Sequence, residues 1–128
     1  MAKTSSSVSV QLEDILDDYS VDLKRATNNS MDVVAKKCAA KLRNTSPKKS
    51  GDYARSWGVK RDRGNHGIND VTVRNKDHYQ LTHLLENGHI IRNAKGEYGR
   101  TRGIKHIAPV AEWANAELPA EIEREMNK

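Results

Sequence analysis

Residues 79–109 read YQLTHLLENGHIIRNAKGEYGRTRGIKHIAP. Tyr79, Leu81, Leu84 and Leu85 suit a two-turn amphipathic helix over Tyr79–Glu86, with Gly88 just past its end, where glycine commonly stops a helix. Sixteen polar or flexible residues follow, His89 to Ile104, before Lys105-His106-Ile107-Ala108-Pro109 leads into a last helix. Loops of that length without structure of their own are uncommon in compact domains and are usually functional or disordered. The segment 89–105 is therefore expected to be an exposed loop and a contact surface. Its candidate interface residues are Glu86, His89, Arg92, Lys95, Tyr98, Arg100, Arg102 and Lys105.

Downstream, Pro109 suits the first position of a helix, where its missing N–H costs nothing. Val110, Trp113, Ala114 and Leu118 give that helix an apolar side, and Pro119 is expected to break or kink it, so that residues 121–126 continue at an angle. Upstream, residues 55–62 alternate weakly and 68–75 clearly, with Val71 and Val73 on one face and Thr72 and Arg74 on the other. A Gly64-Asn65-His66-Gly67 turn joins them, which predicts an antiparallel hairpin with one wet face. Two strands alone are marginal, so a third is expected near residues 103–107.

Before the hairpin, SPKKSGDYARSW (residues 46–57) is a turn-rich basic link pivoting at Gly51. From Ser9 to about Asn44 runs a strong helical pattern, with Leu12, Leu23 and Val34 each 11 residues apart, close to three full turns. Glu13, Asp14, Asp17 and Asp18 near its start and Lys36, Lys37, Lys41 and Arg43 near its end suit the helix dipole. Thr27-Asn28-Asn29-Ser30 is weak helix material, but the phase of the stripe continues through it. A helix this long with one narrow stripe lies across a sheet or against a neighbouring subunit. Residues 1–8 are expected to be disordered, within one domain spanning 1–128. The predicted fold is α+β, with long N-terminal and C-terminal helices on an antiparallel sheet of about three or four strands.

The composition limits the function. Phe is absent and the hydrophobic fraction is 36%, so the core must be small. The formal charge of +5 is uneven: +1 over residues 1–44, +7 over 45–108 and −3 over 109–128. A basic middle and an acidic tail suit a protein that meets copies of itself or a charged partner, although a merely solvated basic face reads the same way. Cys38 is the only cysteine, so no intramolecular disulfide forms and a packed small hydrophobe is expected. No apolar run suits a signal peptide or a membrane span, so the chain is expected to be made in the cytoplasm.

Five histidines raise the question of a metal or catalytic site. Their spacings, with one cysteine, make no zinc constellation. Lys105-His106-Ile107-Ala108-Pro109 is similar to the D-H-I-x-P centre of HNH-type nucleases, but Lys105 stands at the aspartate's place and no histidine follows His106. A cation there opposes a divalent metal. Glu86 and Glu97 could be paired only by assuming a separation that nothing fixes. No phosphate-cradling glycine motif and no G-x-S-x-G occurs. No catalytic residue, cofactor or metal is expected. The basic loop with Tyr98 inside it could instead follow a phosphate backbone, so a small nucleic-acid-binding module is the alternative reading.

The order of elements resembles one family: the head–tail joining, or tail-completion, proteins of long-tailed bacteriophages, the gene-product-ten-like tail components of HK-type siphophages. The marks are Pro47-Lys48-Lys49-Ser50-Gly51, then Tyr79 through Leu85-Glu86-Asn87-Gly88, then Ile107-Ala108-Pro109. The likeness spans residues 10–118. It departs at Asn87, where an aromatic or apolar residue is usual, and at Val110, where phenylalanine is common. The resemblance implies a non-enzymatic virion protein that forms a ring, often six-membered, where tail meets head. Its implied partners are copies of itself and other tail or connector proteins, with incidental contact to DNA and none to membrane.

Overall fold

The computed structural model describes residues 4–48, 51–88, 90–93 and 96–128. In chain order the elements are α1 (Thr4–Thr45), α2 (Asp52–Arg55), β1 (Trp57–Asp62), β2 (Asp70–Asn75), α3 (Thr82–Asn87), β3 (Ile90–Asn93), β4 (Gly96–Arg100) and α4 (Ile107–Met126). The class is α+β, as expected. The strands, however, form two separate two-stranded ribbons, β1–β2 and β3–β4, rather than one sheet.

Helix α1 is 42 residues long, roughly 60 Å at the rise of an α-helix. It begins at Thr4, five residues before the expected start, and runs through Thr27–Ser30 without a break. The polar tetrad serves the fold here. Asn28 donates from Nδ2 to the Gly67 carbonyl (2.9 Å) and accepts at Oδ1 from the Asn69 amide (2.9 Å), which clamps the β1–β2 turn to the helix. The early start also changes the meaning of the acidic cluster. Residues 13–18 lie beyond the first turn, which carries no acidic residue, and the dipole effect has faded there. At the other end Arg43 lies in the last turn and donates to the Trp57 carbonyl.

The first ribbon matches its sequence. Trp57 pairs with Asn75, Val59 with Val73 and Asp62 with Asp70, antiparallel. Lys60, Thr72 and Arg74 face water, while Val71 and Val73 are half-buried towards α1 and α4. The core is Val34, Cys38, Leu42, Tyr53, Trp57 and Val110, with Leu85, Ile107, Trp113, Ala114 and Leu118 packed against it. Trp57 donates from Nε1 to the Ser46 hydroxyl (2.8 Å), so its polar atom is satisfied where its ring is buried. Burial raises the pKa of the Cys38 thiol against the opposing pull of Lys41. Helix α4 lies along residues 31–42 of α1, with the Lys41 ammonium 4.5 Å from the centre of the Trp113 ring.

Three expectations are corrected. No strand forms over residues 103–107; that segment runs into α4, which starts at Ile107, so Pro109 is its third residue and not its first. Helix α4 is one continuous element across Pro119. The expected loop 89–105 contains the antiparallel ribbon β3–β4, with a register shift between Ile91 and Arg92. Gly99 sits opposite Ile91 at φ 127°, the left-handed region open to glycine, which suits the irregularity.

Candidate functional site

Where α3 meets α4, a charged side chain is used to join two helices. The Glu86 carboxylate accepts from three consecutive backbone amides: His106 (2.8 Å), Ile107 (2.9 Å) and Ala108 (3.0 Å). Pro109 follows and has no N–H, so the donors at the start of α4 are all accounted for. An anion is also favoured at a helix N-terminus. Burial raises the carboxyl's pKa, but the three amides and the adjacent His106 outweigh it and hold the group below the usual carboxylate range.

His106 completes the join and is only 1% exposed. Its Nδ1 lies 3.0 Å from Glu86 Oε1 and 2.7 Å from the Ile104 carbonyl, two acceptors, so this nitrogen carries a proton. Nε2 meets the Tyr53 hydroxyl at 2.8 Å. Burial and then the Glu86 charge push the Tyr53 pKa up to about 12. Both ring nitrogens are thus occupied internally, and the histidine of the nuclease-like pentapeptide presents none to a substrate. Among the described residues no group of three or more His, Cys, Asp or Glu side chains could hold a metal ion, and no helix is long and apolar enough to cross a membrane.

Beside this join the chain passes through a tight neck. A Cβ at Gly88 would lie 2.3 Å from the Thr101 carbonyl oxygen, and one at Gly103 would lie 2.6 Å from the Glu86 carbonyl oxygen. The Ile104 amide donates to Leu85 across the neck (2.8 Å). The β3–β4 ribbon is the segment that leaves and re-enters there.

Among the described residues, two stretches expose several apolar side chains amid charges of opposite sign. On α1, Leu12, Ile15, Leu16 and Tyr19 are each more than half exposed, at 55, 63, 62 and 56%. They lie among Glu13, Asp14, Asp17, Asp18 and Asp22. Elsewhere in the chain Tyr79, Leu81, Leu84 and Ile104 are exposed; Arg74 and Lys76 share a groove with Tyr79, and Arg102 and Lys105 flank Ile104 in sequence. Tyr79 borders a groove of about 260 Å³ lined by Trp57, Val73, Arg74, Asn75, Thr82 and Ile107. It also borders a second groove of about 410 Å³ with Arg74, Asn75 and Lys76.

A family model, "Bacteriophage HK97-gp10, putative tail-component", matches residues 10–88, more than half of the chain. The chain belongs to the HK97-gp10-like family. As a member it is a phage tail component, a structural protein of the virion. No curated protein and no solved structure matches it. Of the three marks that carried the resemblance, those at 47–51 and 79–88 fall inside the matched span, and Ile107-Ala108-Pro109 falls beyond it. The structure joins the second mark to the third through Glu86.

In this HK97-gp10-like protein the expected interface residues part company. Arg100, Arg102 and Lys105 are exposed, the last donating to Asn87 Oδ1 at 2.6 Å. Arg92 lies on β3 and Tyr98 on β4. His89 and Lys95 lie outside the described residues. Glu86 is turned inward and is 8% exposed, because the amides of α4 need its charge more than a partner could. The exposed apolar residues of α1 and of residues 79–84 were visible as helical stripes; for α1 a neighbouring subunit was one of the two expected covers, and for residues 79–84 the sequence named no partner.

Proposed function

We propose that this HK97-gp10-like protein completes the head–tail junction, as a tail-completion or neck protein that forms a ring with copies of itself and catalyses no reaction. One observation carries the reading: the first half of α1 keeps an apolar stripe uncovered in the isolated chain. An apolar face of that length calls for a protein partner. The β3–β4 ribbon and its base, with His89, Arg92, Lys95, Tyr98, Arg100, Arg102 and Lys105, supply the contacts to neighbouring subunits, to the tail tube or to a connector protein. The protein is made in the host cytoplasm and acts in the particle.

The test is native mass spectrometry across a concentration series, followed by deletion of residues 92–102 in the phage. A discrete oligomer is expected from the intact protein. The deleted protein should fold and yet be absent from particles. Normal particles carrying it would end the role given to the ribbon. A second reading draws on the exposed Arg100, Arg102 and Lys105, which could follow a phosphate backbone. It predicts duplex binding that weakens steeply with salt, and no binding at low salt would remove it.

A further inference from the structure

We infer that the acidic, apolar first half of α1 docks into the basic groove beside Tyr79 of a second copy, so that successive subunits join head to tail. This rests on the ring-forming reading above and names the surfaces that would form it.

The donor is built by the sequence and left uncovered by the fold. Leu12, Leu23 and Val34 continue one stripe; Val34 is 5% exposed in the core, while Leu12 is 55% exposed. Helix α4 has only 20 residues, about half the length of α1, and lies against its second half. From Gln11 to Arg25, roughly 22 Å of helix, no residue is buried, and Ala26 is the first that is among the residues whose exposure is described. Apolar side chains in the same phase form the core in one half and stay exposed at Leu12, Ile15, Leu16, Tyr19 and Leu23 in the other.

The charges select the occupant. At 100° per residue, Glu13 borders the stripe on one side and Asp18 and Asp22 on the other. Five acidic residues and no basic one lie between Gln11 and Leu23. The helix dipole does not account for them, since they lie beyond its first turn. Two such helices side by side would bring ten negative charges together, which opposes a symmetric α1–α1 pair. The receptor has the opposite rim. Arg74 and Lys76 edge the grooves at Tyr79, and the Tyr79 ring supplies their exposed apolar surface, at 64% exposure. Donor and receptor are different surfaces of one chain, so the contact is heterologous and generates a ring when the rotation closes.

Charge reversal on the full chain tests this by native mass spectrometry, with circular dichroism to confirm the helix content of every variant. The triple substitution Glu13→Lys, Asp18→Lys, Asp22→Lys should weaken self-association on the order of 100-fold, and so should Arg74→Glu with Lys76→Glu. Both sets in one chain, or an equimolar mixture of the two variants, should restore the wild-type oligomer. Tighter association of the triple variant would overturn the inference in favour of α1–α1 pairing. Oligomers unaffected by either set, or unrestored by the combination, would overturn it while leaving the ring reading in place. A wild-type chain that stays monomeric until another tail protein is supplied would also overturn it, with that protein as occupant. The ring reading would then be judged on the particle.

Discussion

The two halves of α1 carry the same apolar spacing and meet opposite fates. Leu42, in the second half, is 4% exposed against β1, α2 and α4, whereas Leu16, in the first, is 62% exposed. Periodicity states that a face is apolar; it does not state what will cover it. The cover is set by the length and direction of another element, here α4, which packs on the second half of the longer helix. One half of α1 therefore belongs to the folding of the chain, and the other keeps its apolar side chains exposed over residues 12–23.

The largest effect should separate the halves directly. Leu42→Ala is expected to cost about 3 kcal/mol, as buried leucine truncations do, and Leu16→Ala no more than about 0.5 kcal/mol. Urea denaturation of both variants, at a concentration where the protein is monomeric, would check this. Equal losses would mean that the first half is covered within one chain.

Glu86→Gln should come next, at about 1–2 kcal/mol near neutral pH, because charge-assisted bonds to three amides become neutral ones. The sign of its pH dependence follows from the lowered pKa of Glu86 in the folded state. The contribution is present above the unfolded value, about 4.3, and is lost as pH falls through the lower folded value. Stability curves of wild type and variant should therefore converge on acidification. A gap that stays constant would mean that the carboxylate's charge is not what joins α3 to α4. A smaller loss is expected from Asn28→Ala, about 1 kcal/mol, because the clamp on the β1–β2 turn goes with it. If urea midpoints do not move, the clamp holds nothing that the ribbon needs.

Much of the fold was legible because its signals are local. The stripe of α1, with Cys38 upon it, and the alternation of Val71 and Val73 each repeat within a short window. Elsewhere the deciding partner lies far along the chain. Glu86 at the end of an amphipathic helix resembles a surface carboxylate, and only three amides 20–22 residues later explain its burial. The β3–β4 ribbon was hidden by Gly96 and Gly99, residues that ordinarily weaken strands. The fate of Leu12, Ile15 and Leu16 was left open between a sheet and a neighbouring subunit, because the cover of the stripe depends on the reach of α4. Asn28 and Ser30 argued for a break in a helix that their neighbours continued.

The neck at Gly88 and Gly103 makes the segment between them a cassette. Its two ends are held side by side by backbone contact and by the Ile104–Leu85 hydrogen bond, so the body of the protein meets the same two anchor points whatever lies between. The stretch matched by the family model ends at residue 88, on the threshold of that cassette. Loop length is entropically cheap once the ends are fixed. The ribbon is thus a place where length can change, or an engineer can graft an epitope, without renegotiating the core.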